Sequence, residues 1–93
     1  MRIYKYRLSS SCINEMQTVS MPIGSKILDV QFMENQLVLW AEVDPEAEVR
    51  DRLFLIAFTG SEAPARQSWT HVSTLQVVRR TTFVLHIFAG PDF

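Results

Sequence analysis

The chain holds a single cysteine, Cys12, so no intrachain disulfide can form and no Cys-x-x-Cys pair exists for a zinc site or a redox motif. Such sparing use of cysteine fits a reducing compartment. Three glycines are too few for a phosphate loop of the G-x-x-x-x-G-K-[ST] type or for a G-x-G-x-x-G dinucleotide fingerprint, and neither pattern occurs. With two histidines, no His-x-His, no Glu-x-x-His and no acidic cluster at ligand spacing, the expectation is no metal and no cofactor. No apolar run approaches the ~18–20 residues needed to cross a bilayer. The opening Met1-Arg2-Ile3-Tyr4-Lys5-Tyr6-Arg7-Leu8 carries a charge at every second or third position, which a signal-peptide core does not tolerate. The expected location is therefore the cytoplasm, away from membranes. Nine Lys and Arg against ten Asp and Glu give a net charge of −1, and a surface so balanced is not built to neutralise a long run of nucleic-acid phosphates.

What remains is an ordinary globular composition, 47% hydrophobic and 20% charged over 93 residues, enough for one domain with a thin core. Period and punctuation divide it into strands. Tyr4, Tyr6 and Leu8 alternate with Lys5 and Arg7, predicting a strand over residues 2–8 with one wet face. A second extended stretch, 15–21, runs into a turn at Pro22-Ile23-Gly24-Ser25. In 27–32, Leu28, Val30 and Phe32 share one face and Asp29 and Gln31 the other; the short link Glu34-Asn35-Gln36 then predicts an antiparallel hairpin with 37–43. That fourth strand, Leu37-Val38-Leu39-Trp40-Ala41-Glu42-Val43, is nearly apolar on both faces, as a strand covered on both sides or by a partner would be. Asp44-Pro45 is a helix start signal, and Glu46/Arg50 and Glu48/Arg52 are spaced i,i+4, so a short helical crossover is expected over 45–50. Residues 53–58 form the most apolar strand, 61–68 the longest loop, and 69–78 with 82–88 a final hairpin. Its connection Arg79-Arg80-Thr81 lacks the Gly or Asn of a tight turn, which calls for a wider loop or a bulge. The tail from Gly90 is expected to be loose. The fold class is all-β, or β-rich α+β: a small antiparallel sandwich or partly open barrel of six to seven strands with one helical crossover.

Few residues call for chemistry. Cys12 could pair with His71 or His86 as nucleophile and base, but no cation or helix start neighbours it in the sequence to activate it, so a passive thiol is the reading. Asp44 is explained by capping and Glu46 and Glu48 by their arginine partners. No catalytic residue is assigned, and the protein is expected not to be an enzyme. Aromatic rings beside cations are what small β domains use to stack a base and hold its phosphate. Trp40, Arg52, Trp69 and His86 are accordingly the candidate ligand- or partner-binding residues. Trp40 doubles as a structural anchor, a ring expected to be buried in a central strand.

The runs Ile3-Tyr4-Lys5-Tyr6-Arg7-Leu8, Met21-Pro22-Ile23-Gly24-Ser25-Lys26-Ile27-Leu28-Asp29-Val30-Gln31 and Leu39-Trp40-Ala41-Glu42-Val43-Asp44-Pro45 together resemble a family of small, functionally unassigned proteins of tailed bacteriophages and prophages. Its signature is Leu-Trp-Ala-x-Val-Asp-Pro. Arg52-Leu53-Phe54-Leu55-Ile56-Ala57-Phe58-Thr59-Gly60 and Phe83-Val84-Leu85-His86-Ile87-Phe88 extend the likeness, which spans residues 3–88. Two positions depart from it: Arg79-Arg80 stand where members carry Gly in the last hairpin turn, and Val72-Ser73-Thr74 where they carry Gly-Thr. The resemblance implies an accessory protein of the host-cell cytoplasm that acts by stoichiometric binding, inhibiting or redirecting a host protein. A binder that sequesters a small nucleotide signal and a minor virion component are the alternatives. A homodimer is expected from the thin core and from the apolar fourth strand.

Overall fold

The computed structural model describes residues 1–65 and 67–91. Seven strands run in chain order: β1 (Arg2–Leu8), β2 (Met16–Pro22), β3 (Lys26–Met33), β4 (Gln36–Val43), β5 (Val49–Phe58), β6 (Thr70–Val78) and β7 (Thr82–Ala89). They form two antiparallel sheets, a three-stranded one ordered β1-β4-β3 and a four-stranded one ordered β2-β5-β7-β6. The fold is all-β, and among the described residues there is no helix, hence none long and apolar enough to cross a membrane.

The sheets pack face to face, β3 lying against β6 and β1 near β2. The backbone measures 43 × 30 × 17 Å along its principal axes. Layers of a sandwich sit ~10 Å apart, so the short dimension accommodates two layers and no third. Alternation decides what lies between them. Leu37, Leu39, Ala41 and Val43 of β4 are buried against Phe54 and Ile56 of β5 and Leu85, Ile87 and Ala89 of β7. Tyr6 packs on the margin of this core; burial, with Tyr4 adding, raises its phenol pKa above the ordinary value.

The expected helical crossover over 45–50 is not formed. Asp44 accepts the Glu46 amide on its carboxylate and the Ala47 amide on its carbonyl, at 3.0 Å each, so the Asp-Pro signal caps a tight turn rather than a helix. β5 begins at Val49, where it pairs with Pro22 of β2. On a strand, residues two apart share a face, and the ion pair is therefore Glu48–Arg50 at 3.1 Å, not Glu46–Arg50 or Glu48–Arg52.

Three further expectations are revised by geometry. A β-bulge between Ile27 and Asp29 puts Ile27 opposite Ala41 and Val30 opposite Leu39. Leu28 thus leaves the face of Val30 and Phe32 and is 42% exposed. Trp40 has the opposite parity to the core residues of β4, so its ring lies half-buried on the outer face of the three-stranded sheet, not in the core. Gly90 is buried, its amide donating to the Leu53 carbonyl at 2.7 Å, so the chain past β7 is held at least that far; Asp92 and Phe93 lie outside the described residues. The last connection, 79–81, is a three-residue loop, wider than a tight turn, and the bulge of that hairpin falls between His71 and Ser73.

Candidate functional site: an aromatic cleft at one end of the sandwich

The four residues singled out from the sequence do not converge. Arg52 and Trp69 both approach Gly90 at one end. The Arg52 guanidinium donates to the carbonyls of Ser25 at 2.9 Å and Gly90 at 3.5 Å, and the Trp69 ring stands 3.6 Å from where a side chain on Gly90 would begin. Trp40 sits on the outer face of the three-stranded sheet. His86 lies on the outer face of the other, its Nε2 sharing a hydrogen bond with Thr59 Oγ1 at 2.8 Å and its Nδ1 with Thr74 Oγ1 at 3.0 Å. Thr74 also meets His71 Nε2 at 2.7 Å, and His71 stands edge-on to Phe88. Both imidazoles are thus engaged by threonine hydroxyls, and Cys12 is a half-buried free thiol.

The opposite end is built differently. There a cleft of about 230 Å³ is lined by Ile13, Phe32, Phe58, Val77, Phe83 and Leu85, together with Ser10 and Arg79. Each phenylalanine sits at a strand end on the inward parity: Phe32 near the end of β3, Phe58 closing β5, Phe83 opening β7. Phe58 and Phe83 contact each other, centroids 6.0 Å apart and planes tilted by 41°, yet they remain 37% and 44% exposed.

Arg79 is fixed on the rim. Its guanidinium carbon lies 5.5 Å from the Phe32 ring centroid, a cation–π placement, and its Nη2 donates to Asn35 Oδ1 at 3.1 Å. Asn35 is presented by a two-residue hairpin in which Glu34 and Asn35 both have positive φ, 50° and 65°, the conformation of a type I′ turn. An arginine has five N–H donors, and the bond to Asn35 uses one, so the cleft offers hydrocarbon walls and a cation at the mouth. That is suited to an apolar or aromatic group attached to something polar or anionic. It has no nucleophile and base in contact, and among the described residues no three metal-ligating side chains converge.

Reading the sequence for tryptophans missed this cleft. Its usable signal was the placement of Phe32, Phe58 and Phe83 within two residues of a turn, where one end of a ring's strand stops providing neighbours.

No curated protein and no solved structure matches the chain. A family model does, over residues 1–93, and the chain therefore belongs to a family described as a domain of unknown function, DUF7352.

Proposed function

We propose that this protein is a non-catalytic binding module that acts stoichiometrically on a partner protein, taking an apolar or aromatic side chain of that partner into the Phe32–Phe58–Phe83 cleft. The observation that carries this reading is the exposure of two contacting phenylalanines, 37% and 44%, at the mouth of a hydrocarbon-lined cleft. Buried aromatic anchors and arginine dominate the energetics of protein interfaces, and here both are held in place before any partner arrives. The likeness to small proteins of tailed phages supports a phage-encoded accessory role and makes a host protein the partner. The test is affinity purification from host cells with wild-type, Phe83→Ser and Arg79→Glu protein. One partner retained in fixed stoichiometry by the wild type and weakened ~30-fold or more by Phe83→Ser is expected, the loss typical of a central aromatic anchor. Equal retention by all three proteins would remove the cleft from the function, and turnover of many equivalents of any substrate would remove the stoichiometric reading.

A second reading, sequestration of a small nucleotide, is favoured by the Arg79 guanidinium placed over Phe32, since ring and cation together suit a base and its phosphate. Denaturing washed protein and assaying released nucleotide separates the two: nucleotide lost on Arg79→Glu supports this reading, and nucleotide lost only on Arg52→Ala or Trp69→Ala moves it to the opposite end.

A further inference from the structure

The outer face of the three-stranded sheet carries no strand of its own molecule, yet it is not a random polar surface. Strand register sets its side chains in rows. Lys5 of β1 pairs with Trp40 of β4, which pairs with Asp29 of β3, so one row reads cation, indole, anion across the sheet. The row on one side is Arg7, Val38, Gln31 and that on the other is Ile3, Glu42, Lys26. The half-buried Trp40 ring is the apolar centre of this face, Val38 beside it being already covered at 6% exposed, and charge of opposite sign flanks it on the two edge strands. The anion is held rigidly: Asp29 accepts the Val30 amide on Oδ1 and the Gln31 side-chain amide on Oδ2, both at 2.8 Å.

We propose that this face is a two-fold interface between two copies of the chain. A two-fold axis lying between two such faces, parallel to β4 and passing over Trp40, brings β1 of each copy over β3 of the other. Lys5 then faces the second copy's Asp29, Asp29 faces its Lys5, and the two indoles meet at the axis. A closed isologous contact needs a self-complementary surface, and a row with cation and anion equidistant from a central ring meets that requirement. In the neighbouring row the same axis sets Glu42 over the second copy's Glu42, and Lys26, in register beside each, supplies the offsetting positive charge. Arg7 faces Gln31, adding no like-charge contact. Three strands give a face of roughly 14 by 23 Å, less than a stable specific interface buries, so association is weak and salt-dependent.

Charge swapping tests the axis directly. Sedimentation of the full chain from micromolar to millimolar concentration should show a reversible monomer–dimer equilibrium. Lys5→Glu sets Glu against Asp29 and Asp29→Lys sets Lys against Lys5, and each alone should weaken association at least about tenfold. Mixed together, the two variants regain opposite charges at both contacts and should form a heterodimer as strong as the wild-type dimer. Should Asp29→Lys fail to fold, Lys5→Glu and Lys5→Gln decide: the Glu variant dimerises more weakly at low salt and the gap closes as salt rises. A monomer throughout the concentration range, a dimer indifferent to Lys5→Glu, or variants that do not rescue each other would overturn the proposal.

Discussion

The two ends of this sandwich solve the same problem in opposite ways. Where two sheets stop, the last inward side chains lose neighbours. At one end the Arg52 guanidinium ties the Ser25 carbonyl beside β3 to the Gly90 carbonyl beyond β7, and Gly90 closes against Leu53. At the other end three phenylalanines are left partly in water, with Arg79 at the rim rather than across the opening. A polar pin suits an end that must stay shut, since it satisfies backbone carbonyls directionally. Rings left open cost some hydrophobic stabilisation and present a surface to bind with. On the reading proposed above, the first end serves stability and the second recognition.

Breaking that division should yield effects of decreasing size. Phe54→Ala removes a fully buried ring from the core beneath the pinned end and should cost ~3–5 kcal/mol in denaturant unfolding, the largest loss here. Gly90→Ala forces a methyl to 3.0 Å from Leu53 Cβ and 3.2 Å from its carbonyl oxygen; with backbone on one side the strain should be about 1–3 kcal/mol. Arg52→Met keeps the apolar stem but strands two carbonyls at a half-buried site, and a loss of ~1–2 kcal/mol is expected. At the open end the same measurement should barely respond: Phe83→Ala should cost no more than about 1 kcal/mol of stability, because the ring is 44% exposed and surrenders little burial. Its effect should appear in partner binding instead. A large stability loss for Phe83→Ala, or none for Arg52→Met, would erase the contrast.

The smallest effect concerns pH and neither end. Tyr6 has its phenol pKa raised by burial and by Tyr4, so the folded state holds this proton more tightly than the unfolded chain. The associated stability is complete below the ordinary tyrosine value near 10 and is lost as pH rises through the folded value. Thermal unfolding at alkaline pH should show a decline that Tyr6→Phe reduces.

Much of the fold was legible because it is local. The alternation Tyr4-Lys5-Tyr6-Arg7-Leu8 marks a strand and its wet face without reference to anything else, and Pro22 with Gly24, whose φ is +76°, marks the turn before β3. Over 45–50 the spacing of Glu46/Arg50 and Glu48/Arg52 predicts a helical turn, yet residues four apart share a face on a strand as well. What decides is the pairing of Val49 with Pro22 and Arg50 with Met21, a contact some 27 residues away along the chain.

The candidate site was less legible for a related reason. Phe32, Phe58 and Phe83 share the strand parity of core phenylalanines such as Phe54, and in the sequence only their nearness to a turn sets them apart. Only the stacking of two sheets of finite length places Phe54 in the middle and the other three at an open end. Trp40 posed the converse difficulty: β4 is apolar at both parities, so period two identifies a strand but not its inward side. By itself the sequence determined where the chain is extended and where it turns, because those depend on residues in immediate succession. The tertiary structure alone decided which face of β4 is inside, which end is pinned and which rings stay open, because burial depends on neighbours that the chain brings together only when the sheets pack.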